Sequence, residues 1–333
     1  MKLITAKDLY LLSVITLIEA ANRLSSGRLR PLFARGVAFL AYWLSRRKRR
    51  MSEKNVVQAF EGKLSRERAR DIVKGSFYQF WLEIFSMPCS SGPEAADTIS
   101  ICGLEHLQDT LEQGKGAILW ESSYFGRRNL AKYILHRNGF AIDQVHARNH
   151  MGGFAASGDA QSWTRDRVIR PFFDERQRSF VREIIYLTDP DFLIFARTMA
   201  NRLRNNGILC ISADGPRGHK FISVPFLGRT VSIPTGIASL AKVSGAPIMP
   251  LFCYADAKGR TSLNILPPVR IPSDLQREEA LETTVLQFTD LLESYVRRYP
   301  EQYRNWHSFW GPPRLAALEA ESATLKPRSR NFG

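Results

Sequence analysis

The stretch that most constrains the fold runs from Gly116 to Lys132, GAILWESSYFGRRNLAK. Gly116 to Trp120 is a short apolar run, and beyond it Leu130, Ala131, Ile134 and Leu135 recur at helical spacing. The pattern predicts a strand that ends in a turn, Glu121 to Gly126, and then opens a helix. Ligands of α/β proteins bind in the crevice outside the carboxyl ends of the strands, so this turn is where chemistry is expected.

The surrounding chain repeats the alternation. Strands are expected at Ile99 to Cys102, Ala141 to Val145, Ile208 to Ser212, Ile248 to Tyr254 and Leu263 to Ile265. Helices are expected from Leu104 toward Gly114, from Phe192 to Leu203 and from Leu275 to Tyr299. Ser65 reads as the N-cap of an aromatic helix, and Gly245 as the stop of a helix that starts after Pro234 and Thr235. Residues 151 to 182 carry many charges and little strand signal, and read as a loop and helix over the sheet. The expected fold is α/β, with a central mixed, largely parallel sheet flanked by helices.

The N-terminal 50 residues differ in kind. Two apolar segments, Leu9 to Ala21 and Pro31 to Leu44, are interrupted by Glu19 and Arg35, and neither reaches the roughly 18 to 20 apolar residues of a spanning helix. No small-residue cleavage site follows a compact apolar core, which argues against a secretory signal. Arg46, Arg47, Lys48, Arg49 and Arg50 follow directly. A polybasic run beside an apolar segment reads as attachment to an anionic leaflet; a solvated cap on a buried helix is the plainer alternative. The reading is therefore membrane-associating helices over 1–50, one α/β domain over 51–312 and a basic tail over 313–333.

Charge bounds the partners. With 47 Lys and Arg against 32 Asp and Glu, the net charge of +15 suits a membrane surface, nucleic acid or an acidic carrier protein. Cys89, Cys102, Cys210 and Cys253 lack metal-ligand spacing and read as reduced, mostly buried thiols, which favours a cytosolic face. His146 and His150 lie four apart with no glutamate between them, so they read as solvent- or substrate-side histidines, and no metal is expected.

Several motifs together resemble one family. Tyr124, Phe125, Gly126, Arg127, Arg128, Asn129, Leu130 and Ala131 stand in register with the strand-His-Phe-Gly-Asn-Trp-Glu-Leu-Ala turn of the late lipid A acyltransferases, relatives of the glycerolipid acyltransferases. Val224-Pro225-Phe226-Leu227-Gly228, Pro234-Thr235-Gly236, Leu240-Ala241, Gly245-Ala246-Pro247 and Pro250 are similar to that family residue by residue, as is Pro300-Glu301-Gln302 near the end. The similarity covers about residues 38 to 310. It departs at the catalytic dyad, where Tyr124 and Asn129 replace His and Glu.

The resemblance implies a peripheral or monotopic protein on the cytoplasmic face of a bacterial inner membrane. Its acyl group would come from acyl carrier protein or acyl-CoA as co-substrate, with no cofactor, and its acceptor would be a lipid or glycolipid. The implied catalytic positions are Tyr124 and Asn129, with Glu121 beside them. Arg127, Arg148, Asp214, Arg217, Gly228 and Gly236 are implied in substrate binding. Arg217, in Asp214-Gly215-Pro216-Arg217-Gly218, has the planar fork that suits a phosphate, although turn chemistry alone makes it an exposed turn residue.

Acyl transfer to a hydroxyl needs a base, a carboxylate that orients it, and donors for the thioester oxyanion. A tyrosine hydroxyl would have to fall from a pKa near 10 to near 7, a cost of roughly 4 kcal/mol, to serve as that base, and asparagine carries no charge to help. Three readings follow. The site is rearranged, with Glu121, His146 or His150 as base; or catalysis is lost and the protein binds lipid in an accessory role; or the charge serves nucleic acid. The last leaves Phe125-Gly126 and the whole of 224 to 250 unexplained, and nucleic acid is not expected as a partner.

Overall fold

The computed structural model describes residues 6–25, 29–87, 99–147, 165–187, 192–212, 214–215, 220–256 and 259–308. A seven-stranded sheet lies at the centre, in the order β1-β9-β8-β2-β5-β3-β4. It comprises β1 (Ser100–Cys102), β2 (Ala117–Glu121), β3 (Ile142–Ala147), β4 (Glu183–Leu187), β5 (Ile208–Ser212), β8 (Ile248–Ala255) and β9 (Thr261–Ile265). Neighbours are parallel except β8 and β9, so the sheet is mixed and largely parallel, as expected.

β2 lies between β8 and β5 with all five residues buried. Ala117 and Leu119 join the core beneath α5 (Leu104–Glu112) and α6 (Arg128–Arg137), while Ile118 and Trp120 face the larger core on the other side. Strands covered on both faces read as continuous apolar runs, and this is why β2 was legible. On the larger side α10 (Arg277–Arg298) seats aromatic rings on the sheet. Phe288 stacks on Trp120 at 4.0 Å between centroids, and Tyr295 on Phe252 at 4.2 Å.

Four N-terminal helices precede the sheet: α1 (Ala6–Ser25), α2 (Arg30–Leu44), α3 (Arg46–Ala59) and α4 (Arg66–Phe85). Ser65 caps α4, its hydroxyl accepting from Arg68 N at 3.1 Å. α2 turns Ala34, Ala38 and Tyr42 inward, with Tyr42 edge-on to Phe77 of α4 and Phe33 stacked on Phe85. The five-cation run forms the first turns of α3. Among the described residues no helix is long and apolar enough to cross a membrane.

Three features differ from expectation. β4 was not foreseen; it extends the sheet as the parallel neighbour of β3 and follows α7 (Arg170–Arg178). The stretch from Phe221 to Pro234 is an antiparallel hairpin, β6 (Phe221–Phe226) and β7 (Arg229–Pro234), outside the main sheet. Leu227 and Gly228 have φ of 52° and 71°, the two positive values of a type I′ turn. β2 also runs one residue further than expected, so Glu121 belongs to the strand. α8 (Phe192–Arg204) and α9 (Gly236–Ser244) complete the fold, with Gly245 closing α9 at φ 75°.

Candidate active site

Glu121 ends β2 with 2% of its surface exposed, facing α6. Lys132 Nζ reaches both carboxylate oxygens at 3.0 and 2.9 Å, Ser212 Oγ donates at 2.9 Å, and Arg128 Nε stands 3.8 Å away. Burial pushes the Glu121 pKa up, but Lys132, then Arg128, and the bonds from Lys132 and Ser212 outweigh it and hold it at about 2. Such a carboxylate stays ionised and has little tendency to take a proton. Glu121 thus stands as the anion of a buried ion cluster.

The turn beyond it is tied from two sides. Ser122 Oγ donates to Asp214 Oδ2 in a short bond and accepts from the amides of Tyr124 and Phe125, both at 3.1 Å. Asp214 Oδ1 accepts from Ser123 N at 2.7 Å. With both lone pairs used, Ser122 holds the turn rather than attacking a substrate. From the other side, Arg304 N donates to Tyr124 O at 2.7 Å, and the Arg304 side chain reaches the carbonyls of Tyr124 and Ser123 at 3.3 and 3.1 Å. Gly126 sits at φ 66° with its Cα against the Cys253 carbonyl; a Cβ there would collide with that oxygen, so this position admits only glycine.

The positions that stand for the dyad lie within this frame. The ring of Tyr124 meets Tyr303 edge-on at 6.5 Å. Asn129, in the first turn of α6, gives its amide to Glu83 Oε1 of α4 at 3.0 Å. Its Oδ1 accepts from Gln177 Nε2 of α7 at 3.1 Å, and Gln177 Oε1 lies 3.0 Å from His146 Nε2. Burial first, then Arg128, bring the His146 pKa down to about 4, so the imidazole is neutral at pH 7. Asn129, Gln177 and His146 form an uncharged chain, and among the described residues no imidazole–carboxylate pair stands at the turn.

The other implied site residues divide. Asp214 is at the turn, where it anchors Ser122 and Ser123. Arg127 is the residue before α6 and donates its amide to Cys253 O at 2.7 Å. Gly228 stands in the hairpin turn beside α3, and Gly236 is the exposed first residue of α9. Arg148, His150 and Arg217 lie outside the described residues. Glu83, Ser122, Lys132, Gln177 and Arg304 were not foreseen. Only Lys132 left a signal, one helical turn after Arg128 on the face that meets the strand. No cluster able to hold a metal occurs among the described residues.

These groups set the response to acid. Glu121, with its folded pKa below the unfolded value of 4.5, contributes stability present above 4.5 and lost as pH falls toward 2. His146, depressed from 6.5 to about 4, acts in the same direction because the unfolded chain binds the proton first. Asp214, raised by burial, opposes them. Lowering the pH from 7 to 5 is expected to cost roughly 2 kcal/mol through His146 alone. Urea unfolding at both pH values tests this, with His146→Asn flattening the difference; an equal slope in that variant excludes His146 as the cause.

The mixed α/β sheet thus carries, at the carboxyl end of its central strand β2, a turn held by an aspartate that follows the neighbouring strand β5, the place where α/β proteins bind ligands. Residues 12–311 match the model of the bacterial lipid A biosynthesis acyltransferases, and the chain belongs to that family. It is similar to a phosphatidylinositol mannoside acyltransferase of Mycolicibacterium smegmatis, at 23% identity over 233 residues, covering 70% of this chain and 68% of that protein. It is also similar to the Mycobacterium tuberculosis H37Rv protein of the same description, at 27% identity over 186 residues, 55% of this chain and 54% of that protein. The chain thus spans only about half the length of this second relative.

Proposed function

We propose that this protein transfers a fatty acyl chain from a thioester, on acyl carrier protein or CoA, to a hydroxyl of a membrane lipid or glycolipid through a rearranged site. The observation that carries this is the intact turn, Ser122 to Gly126, clamped by Asp214 and Arg304 in a chain of the family. The relatives' glycolipid, a phosphatidylinositol mannoside, supports a phosphate-bearing glycolipid as acceptor, whose phosphate Arg217 would bind. Purified protein with acyl thioesters and lipid or glycolipid acceptors tests the reading, and acylated product is the expected result. The second reading, a lipid-binding homologue without catalysis, is favoured by the uncharged chain at Asn129. It stands if no thioester is consumed while lipid still binds.

The site is reached, on this reading, from the cytoplasmic leaflet of the inner membrane. Leu32, Phe39, Leu40, Trp43 and Leu44 lie on one face of α2 and are 53 to 81% exposed. Arg46, Arg47 and Arg50 follow exposed, while Lys48 lies over the Phe77 and Phe80 rings and Arg49 over Tyr42 and Trp43, so α2 suits an in-plane position with its apolar face in the acyl boundary and the three exposed cations at the phosphates. Each cation near an anionic surface contributes roughly 1 kcal/mol. In the full chain, changing Phe39 and Trp43 to Glu should lower binding to anionic vesicles at least tenfold. Added salt should weaken the natural protein, and unchanged binding in both tests removes the assignment.

A further inference from the structure

Residues 176 and 177 of α7 reach in different directions, as successive residues on a helix do. Gln177 is buried and bonds Asn129 and His146, whereas Arg176 pairs with Glu19 of α1 in a short contact. Arg176 otherwise bonds within its own helix, to Phe172 O at 3.1 Å, and lies over the Phe172 ring at 3.6 Å. The adjoining side chain is thus where α1 grips the helix that supports the dyad position.

We propose that Gln177 is the positioning residue of this site, and that the Glu19–Arg176 pair couples it to α1, so that the seating of the N-terminal helix is felt at Asn129 and His146. The chemistry follows from the direction of the bonds. Gln177 gives an N–H to Asn129 Oδ1, so its own Oε1 accepts, and His146 Nε2 must carry the proton. The imidazole keeps a bare Nδ1. Asn129 Oδ1 is occupied, while its Nδ2 donors make no hydrogen bond among the described residues. In place of the carboxylate that supports a base, this chain presents an amide donor. His146 is faced by Arg128 and Lys132 from α6, Glu121 from β2, Gln177 from α7 and the Tyr186 ring from β4 at 6.3 Å. Burial, then Arg128 and Lys132, hold it neutral against the opposing pull of Gln177 and Glu121, which keeps the chain of amides in one direction.

The catalytic meaning of the proposal rests on the acyl-transfer reading, but its test does not. With the full-length protein labelled with 15N at histidine, the ring nitrogen shifts report tautomer and charge, and the signal missing in His146→Asn assigns the residue. His146 is expected as the Nε2–H tautomer, neutral down to about pH 5. Gln177→Glu should raise its pKa by at least about one unit, because the acceptor becomes a carboxylate. Glu19→Gln should shift or broaden the same signal without touching the site directly. Identical His146 spectra and titration in Gln177→Glu overturn the positioning role. A response to Gln177→Glu with none to Glu19→Gln overturns the coupling. Should acyl transfer be absent while both responses occur, the acyltransferase reading fails and this inference stands.

Discussion

The double substitution Tyr124→His with Asn129→Glu is expected to raise acyl transfer at least about 100-fold over the natural sequence, the usual scale for a positioned general base. The frame for it is in place. Ser122, Asp214 and Arg304 fix the backbone at position 124, and Glu83 fixes the amide at position 129. Gln177 Nε2 already points a donor at residue 129, and a carboxylate there would accept it. Neither change alone should suffice, since the imidazole needs the acid to set its tautomer and support its charge, and the two act as a unit. A natural rate that is substantial and drops in the double variant would show that Tyr124 or Asn129 already serves the chemistry of the rearranged site. Glu121→Gln would then be expected to matter through the fold, and His146→Ala through the reaction.

The second large effect concerns stability. Lys132→Ala should destabilise the protein by about 3 to 5 kcal/mol, because it leaves Glu121 ionised and buried with Arg128 as its remaining, more distant cation. Lys132 is fully buried, so solvent cannot take over its role. The pair Lys132→Met with Glu121→Gln should recover most of the loss, since no charge is then stranded. Denaturant unfolding of Lys132→Met, Glu121→Gln and their combination gives the coupling directly. A single-variant loss under about 1 kcal/mol would show that water or Arg128 compensates, and would contradict the buried ion cluster.

What was legible in the chain was local. The strand-turn-helix at Gly116 to Lys132, the cap at Ser65, the stop at Gly245 and the buried run from Ile248 depend on residues a few positions apart, where periodicity and turn chemistry act. β4 escaped because Glu183–Leu187 is short and follows a charged helix, although Ile184, Ile185 and Tyr186 favour a strand and pair with β3. The hairpin escaped because Pro225 counts against a strand and Leu227 is no turn-former; its left-handed backbone is fixed by burial and by Glu293 accepting its amide at 2.7 Å. The site was legible in its backbone and not in its support. Glu83 and Asn129 are 46 residues apart, Asn129 and Gln177 48, and Ser122 and Asp214 92, and no spacing rule spans such gaps.

The longest of these links is the one from Arg304 to the carbonyls of Ser123 and Tyr124, across about 180 residues of chain. During synthesis the turn leaves the ribosome long before the segment that clamps it. At the usual pace of about 5 to 20 residues per second, the turn waits at least about ten seconds without Arg304. The sheet can form around β2, β5 and β8 in that interval, but the turn at its edge lacks half its anchors. The anchoring of the turn is therefore completed last, when most of the sheet is already in place.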